Sequence, residues 1–421
     1  MSNFDLVLRL FLQLSVILFV CRLAGWIGTR YLRQTQVVSE MVAGVLLGPS
    51  LFGAIAPEIQ QWLFPAHAVV GGVTIAHPSM SILYALGQIG LVFYMFLVGL
   101  EFDPSLIRGR VRSAAAISIT GIAVPFAGGA LIALAMHGEK VFFHERVSVP
   151  GAALFVGASM SITAFPMLAR ILQERGMSNT RLGVTALSAG SIDDALAWCL
   201  LAAVLASFQA TPSIALIAIV GAVVYGVAML TVGRKALARF ERLDKLEGSP
   251  AVGAYTGLFL VVMLCAWFTD AIGIYAVFGA FLVGVAMPKG GFAKQVKLNT
   301  ELMTTALFLP VFFAYSGLNT QLGLVSTGRL WLWTALVVGV AILAKGVACT
   351  LAAHATGEGW RDATILGVLM NARGLMELII LNIGLDRGLI TPTLFTMMVV
   401  MAVVTTIMTS PLFHLLQRPT R

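Results

Sequence analysis

Charge is what this sequence has least of. Only 11% of its 421 residues are Asp, Glu, Lys or Arg, where a soluble domain carries about 25%. Hydrophobic residues make up 59% and the mean hydropathy is +0.93, so the chain reads as a polytopic membrane protein. Also missing are a GxxxxGK[ST] phosphate loop and a GxGxxG dinucleotide turn. The longest interruptions between apolar segments, residues 52 to 78 and 234 to 250, are too short for a nucleotide-binding or catalytic domain. An ATP-driven pump therefore does not fit, no nucleotide partner or cofactor is expected, and any work must draw on gradients. The four cysteines, Cys21, Cys199, Cys265 and Cys349, lie inside apolar segments without CxxC spacing and read as packing residues. The six histidines fall in loops or at helix ends and form no imidazole cluster, which argues against a transition-metal site. Net charge is +8, but the basic residues are dispersed among loops and form no patch for nucleic acid.

What is present is a succession of apolar segments. A membrane-crossing helix needs about 20 apolar residues, and the polar breaks divide the chain into thirteen spans: 5 to 29, 35 to 55, 79 to 101, 113 to 136, 149 to 172, 181 to 207, 213 to 233, 251 to 269, 272 to 287, 299 to 318, 330 to 353, 362 to 385 and 392 to 416. The first is too long for the apolar core of a signal peptide and is retained as a span. Taking alternate loops, nineteen of the 27 basic residues fall on one side and five on the other. The positive-inside rule makes the basic side cytoplasmic, with the N-terminus outside and the C-terminus inside. Three basic residues remain within spans: Arg22, Lys345 and Arg373.

The two halves rhyme. Span 2 ends in Met41-Val-Ala-Gly44-Val-Leu-Leu-Gly48-Pro49, and span 9 reads Phe278-Gly279-Ala-Phe-Leu-Val-Gly284-Val-Ala-Met-Pro288. Span 3 ends Phe96-Leu-Val-Gly99-Leu100-Glu101, and span 10 ends Phe313-Ala-Tyr-Ser-Gly317-Leu318-Asn319. Both pairs are offset by seven spans, and an odd offset means opposite orientation, the inverted repeat of many secondary transporters. The repeats run approximately from 1 to 207 and from 251 to 416, linked by span 213 to 233.

Such repeats place a substrate site beside helices interrupted at matching positions. Span 5 contains Ser159-Met-Ser161-Ile-Thr163-Ala-Phe-Pro166, where the proline cannot donate to the Ile162 carbonyl, so a break is expected near Thr163. Seven spans later comes Asn371-Ala-Arg373-Gly374-Leu-Met-Glu377, polar and glycine-bearing at mid-span. The expected fold class is therefore all-α, about thirteen transmembrane helices in two inverted-topology repeats with crossed, broken helices.

A charge at the bilayer centre costs about 2.5 to 3.5 kcal/mol on insertion scales. Five stand out at comparable depth: Asp193 and Asp194 on span 6, Lys345 on span 11, and Arg373 and Glu377 on span 12. Adjacent helical residues point about 100° apart, so the two aspartates have different partners. Lys345 can pair with one, leaving the other to hold a proton or a desolvated alkali cation, with the Thr163 and Ser161 hydroxyls and the carbonyls of the break as further oxygen ligands. One site with two competing ligands gives exchange. Arg373 and Glu377, spaced i, i+4, can form an intrahelical ion pair of structural role.

These motifs resemble the monovalent cation:proton antiporters, nearest to the branch that holds plant CHX-type and bacterial Kef-type exchangers. The resemblance rests on Ser161-Ile-Thr-Ala-Phe-Pro-Met-Leu-Ala-Arg170, Asp193-Asp-Ala-Leu-Ala-Trp198, Phe278-Gly-Ala-Phe-Leu-Val-Gly284 and Asn371-Ala-Arg-Gly-Leu-Met-Glu-Leu-Ile-Ile-Leu-Asn-Ile-Gly384, and extends over essentially the whole chain. It implies a core part (spans 4 to 6 and 11 to 13) moving in elevator fashion against a dimerisation part (spans 1 to 3 and 8 to 10), in a homodimer of the bacterial inner membrane in contact with lipid. It also implies that Asp194 binds cation and proton, with Thr163 as the broken-helix ligand and Lys345 as the basic partner. Asp193 matches a position that is Asn or Gln in many relatives, and two acidic residues imply electrogenic exchange. Five residues follow Leu416, so the chain is expected to act without the nucleotide-binding domain of Kef-type relatives. The transported species are then Na+ or K+ and H+. The alternatives are a sodium-coupled organic solute symporter, an intramembrane aspartyl protease, whose two carboxylates must share a proton face to face, and a cation channel, for which no filter loop or acidic ring is present.

Overall fold

The computed structural model describes the chain apart from residues 1–2, 33, 71–72, 102–110, 175, 178–179, 208–211, 248–251, 273–275 and 418–421. For residues 67–70, 73–76, 111, 166, 170, 173–174, 194–195, 198–199, 201–203, 205–207, 212–219, 242–247, 375–376 and 417 it describes the backbone alone.

The first half comprises α1 (Asn3–Tyr31), α2 (Gln36–Leu47), α3 (Phe52–Ile55), α4 (Pro57–Leu63), β1 (His67–Val70), β2 (Val73–Ala76), α5 (Pro78–Glu101), α6 (Val111–Met136), α7 (Val149–Ser161), α8 (Phe165–Glu174) and α9 (Arg181–Ser207). Then come α10 (Pro212–Ala228), joined through a π-helical turn at Met229–Gly233 to α11 (Arg234–Glu247), α12 (Val252–Ala271) and α13 (Ala276–Ala286). A second π turn, Thr304–Phe308, joins α14 (Gly291–Met303) to α15 (Leu309–Leu318). The chain ends with α16 (Gly328–Ala355), α17 (Trp360–Met370), α18 (Leu375–Asp386) and α19 (Pro392–Gln417).

Among the described residues, nine helices are long and apolar enough to cross a membrane. The four other expected spans are accounted for by geometry. The fifth and twelfth are each split, into α7 and α8 and into α17 and α18. The ninth is an 11-residue helix, α13, and the sixth is α9, of 27 residues. Two expectations need correction. Residues 234 to 250, read as an interruption, continue as helix to Glu247, because Leu237 and Phe240 recur at helical spacing; Leu237 is buried and Phe240 stacks on Phe292. Residues 52 to 78, also read as an interruption, hold two short helices and an antiparallel hairpin in which His67 faces Ala76, a small addition to a chain that is otherwise helical as expected. The strands are rich in β-branched residues, among them Val69, Val70, Val73, Thr74 and Ile75, which favour extended backbone.

The chain forms two compact units. One gathers Met1–Leu14, Ala66–Asp103 and Ala202–Phe312, the other Ser15–Pro65, Pro104–Leu201 and Phe313–Arg421. In the first, α5 packs on α13: a Cβ at Gly99 would strike the Phe281 carbonyl and one at Gly284 the Phe96 carbonyl. In the second, a Cβ at Gly44 of α2 would strike the Phe313 carbonyl, and one at Gly317 of α15 the backbone of Gly44. The motifs that rhyme in sequence therefore pack as equivalent pairs, second span on tenth and ninth on third, as an inverted repeat requires. Large apolar side chains also point outward, among them Phe19, Leu332 and Leu343. Solvated by lipid, they carry no penalty.

Candidate functional site

Both breaks lie in the larger unit and touch. α7 stops at Ser161, its C-cap Ile162 is extended (φ −70°, ψ 135°), and helix resumes at Phe165. α17 stops at Met370, and Gly374, with φ +157°, takes a backbone conformation open chiefly to glycine before α18 begins. The crossing is fastened by the Ala164 N–H, which donates to the Ala372 carbonyl at 3.0 Å. The Thr163 hydroxyl lies within hydrogen-bond distance of the Met370 carbonyl at 3.2 Å.

Asp193 of α9 is buried beside this crossing. Its Oδ2 accepts from Thr163 Oγ1 at 2.6 Å and from Lys345 Nζ at 3.3 Å, and its Oδ1 from Ser118 Oγ of α6 at 2.5 Å. Lys345 is itself fully buried and donates also to the carbonyls of Gly121, at 3.0 Å, and Ser161. A buried ion pair is tolerated when the remaining donors and lone pairs are satisfied, and these contacts do so. Asp194 is the next residue on α9; its side chain lies outside the described residues.

Arg373 and Glu377, both fully buried, make the i, i+4 ion pair at 3.3 Å. Arg373 also reaches across the crossing: its Nη1 donates to the Ser159 carbonyl at 3.1 Å and its Nη2 to the Met160 carbonyl. The last three carbonyls of α7 are thus held by two cations, which suits the partial negative charge of a helix C-terminus. The Ser161 hydroxyl turns back to the Ala158 carbonyl of its own helix at 2.9 Å, away from the carboxylate. The residues singled out in the sequence as Asp193, Thr163, Lys345, Arg373 and Glu377 are therefore brought to one crossing, while Ser161 contributes its main-chain carbonyl.

Two further residues contribute to the crossing without standing out in the sequence. Ser118 has no signature, since hydroxyls in apolar helices ordinarily bond their own backbone, as Thr120 does to Ala116. Thr406 of α19 donates to the Arg373 carbonyl at 2.9 Å. Glu40 is a further buried carboxylate, near the start of α2, and accepts from Gln36 at 2.7 Å. Among the described residues no group of His, Cys, Asp and Glu is arranged to hold a metal ion through three such side chains. Cys21, Cys265 and Cys349 are free thiols, and the side chain of Cys199 lies outside the described residues.

Residues 15–416 match the family model described as sodium/hydrogen exchanger, transmembrane. The chain is 40% identical over 407 residues to the Na+/H+ antiporter NhaS4 of Synechocystis, covering 95% of each chain. It is 35% identical over 424 residues to the K+/H+ antiporter 1 of Saccharomyces cerevisiae, where it covers 98% of this chain but 47% of the yeast protein. In three dimensions it is similar to the sodium proton antiporter MjNhaP1 of Methanocaldococcus jannaschii, with a TM-score of 0.67 at 15% identity over 97% of this chain and 96% of that one.

Proposed function

The chain belongs to the sodium/hydrogen exchanger family, whose members are membrane transporters and not enzymes, and from this we propose the following mechanism for its cation/proton antiport. Asp194, with Thr163, alternately holds Na+ or K+ and protons, and Asp193 and Lys345 form an ion pair that opens as the cation enters. The observation that carries this reading is the buried Asp193, shared between Thr163, Ser118 and Lys345 at the crossing of two interrupted helices. In this reading Asp194, the next residue on α9, meets the cation near the depth of Asp193, where the ion must shed its water and take oxygen ligands. Relatives are named for both Na+ and K+, and both ions are candidate substrates here. Ser161 supports the site through its carbonyl, and the Arg373–Glu377 pair holds the crossing together as charge compensation.

Two acidic residues side by side carry two protons per cation, so each cycle moves net charge and feels the membrane potential, about 2.3 kcal/mol per charge per 100 mV. Spans 4 to 6 and 11 to 13 form the moving core, supported by their packing within one compact unit through α6 on α7, α16 on α6 and α17, and α18 on α19. Spans 1 to 3 and 8 to 10 form the stationary, dimerising part of a homodimer in the bacterial inner membrane, with most of spans 1 and 2 clustering in the same compact unit as the core. The protease reading loses its ground, because Asp193 is engaged by a lysine and two hydroxyls; the symporter reading has no observation in its favour.

In proteoliposomes with an imposed pH gradient, addition of Na+ or K+ should dissipate the gradient. Asp194→Asn should abolish that response, and undiminished exchange by this variant would refute the site assignment. An imposed potential that left the rate unchanged would refute electrogenic exchange.

A further inference from the structure

Pro125 lies inside α6, four residues after Gly121. In a continuous helix the N–H of residue 125 donates to the carbonyl of residue 121; proline has no N–H, so the Gly121 carbonyl is left over. Gly121 also has no Cβ, and one there would strike Cys349 Sγ, so α16 approaches α6 closely at this level. Lys345, one turn before Cys349 on α16, then reaches the Gly121 carbonyl at 3.0 Å. Its second acceptor, the Ser161 carbonyl, is left over in the same way by the end of α7. Its third is Asp193, at 3.3 Å. An ammonium has three donors, and here two go to main-chain oxygens and one to a side-chain carboxylate. Around this ammonium stand Asp193 from α9, Arg373 and Glu377 from the second break and α18, and Cys349 on its own helix.

We infer that Pro125 is a positioning residue for antiport: by withholding an N–H from Gly121 it reserves a backbone acceptor for Lys345, which keeps the ammonium anchored when Asp193 lets go. The inference rests on the reading above that the Asp193–Lys345 pair opens during transport. It adds which partner moves. Lys345 stays on the two carbonyls, and the pair opens by displacement of Asp193. An N–H restored at position 125 competes for the Gly121 carbonyl, leaves Lys345 more dependent on Asp193, and makes the pair harder for a cation to open.

Two replacements at one position isolate the missing donor from the ring. Pro125→Ala restores the N–H; replacement of Pro125 by lactic acid, introduced as an ester link, removes the ring without restoring it. In proteoliposomes Pro125→Ala should raise the KM for the cation about tenfold, the order expected for one hydrogen bond to a charged group, while kcat changes by less than about twofold; the ester should keep the KM of the unmodified protein. Equal KM for all three, or equal shifts for Ala and ester, overturns the inference. Thermal unfolding of the purified full-length chain gives a readout that needs no transport. In a Lys345→Met background the Gly121 carbonyl has lost its donor, so Ala should exceed the ester in Tm by more than about 2 °C, and that advantage should shrink or vanish when Lys345 is present. The same Ala-to-ester difference in both backgrounds overturns the inference. Absence of exchange by the unmodified protein would instead refute the antiport reading and leave the unfolding result to judge the Lys345 anchor.

Discussion

The two helix breaks use the same device and are dressed in opposite ways. At the first, the buried carbonyls of Ser159, Met160 and Ser161, at the end of α7, are held by full positive charges, Arg373 and Lys345. At the second, the Ala372 and Arg373 carbonyls accept from neutral donors, the Ala164 N–H and the Thr406 hydroxyl, and the Met370 carbonyl lies 3.2 Å from the Thr163 hydroxyl, whose proton goes to Asp193. A helix C-terminus carries about half a negative charge. Two cations compensate it at α7, whereas at α17 it meets only neutral donors in these contacts. Inverted repeats duplicate the backbone but not the side chains: Arg373 and Lys345, both from the second repeat, are the cations at the break of the first.

That contrast can be broken from its strong side first. Arg373→Met leaves Glu377 as an unpaired buried charge and uncaps two carbonyls of α7, and should cost about 3 to 5 kcal/mol, read as a large fall in Tm and in yield of folded protein. A loss no larger than that of a single neutral contact would mean that the two breaks are dressed alike. Thr163→Val removes the hydroxyl from Asp193 and from the Met370 carbonyl, and should cost about 1.5 to 3 kcal/mol together with a raised cation KM; Thr163→Ser should recover most of both. Ser118→Ala takes one of three donors from Asp193 and should cost about 1 to 2 kcal/mol, with the KM shift in cation exchange as its check. Smallest is Thr406→Val at the neutral break, about 1 kcal/mol or less, seen in unfolding and without effect on exchange. A Thr406→Val variant as damaging as Arg373→Met would reverse the comparison.

Much of this was legible in the residue order. Pro166, four residues after Ile162, marks the first break, because a missing N–H is a chemical fact that needs no fold. Asn371 to Gly374 marks the second by its polarity in an apolar span. The mid-membrane Asp, Lys, Arg and Glu announce themselves by the cost of putting them there. Less legible were polar segments with their own period: residues 234 to 247 fail a hydropathy scan yet form α11, since an amphipathic helix needs only a narrow apolar stripe, here Leu237 and Phe240. Glu40 escaped because a carboxylate near the end of a span looks solvated until its surroundings are known.

The low charge content thus settled the solvent of this protein and which few side chains had to find partners. Their partners were decided by packing alone. Nothing local distinguishes Ser118, which serves Asp193, from Thr120, which serves its own helix, and nothing tells that Arg373 caps a helix more than two hundred residues away in the chain. Hydrogen bonds reach about 3 Å. Which groups come within that distance depends on how α6, α7, α9 and α16 pack together, and on the two breaks meeting at one point.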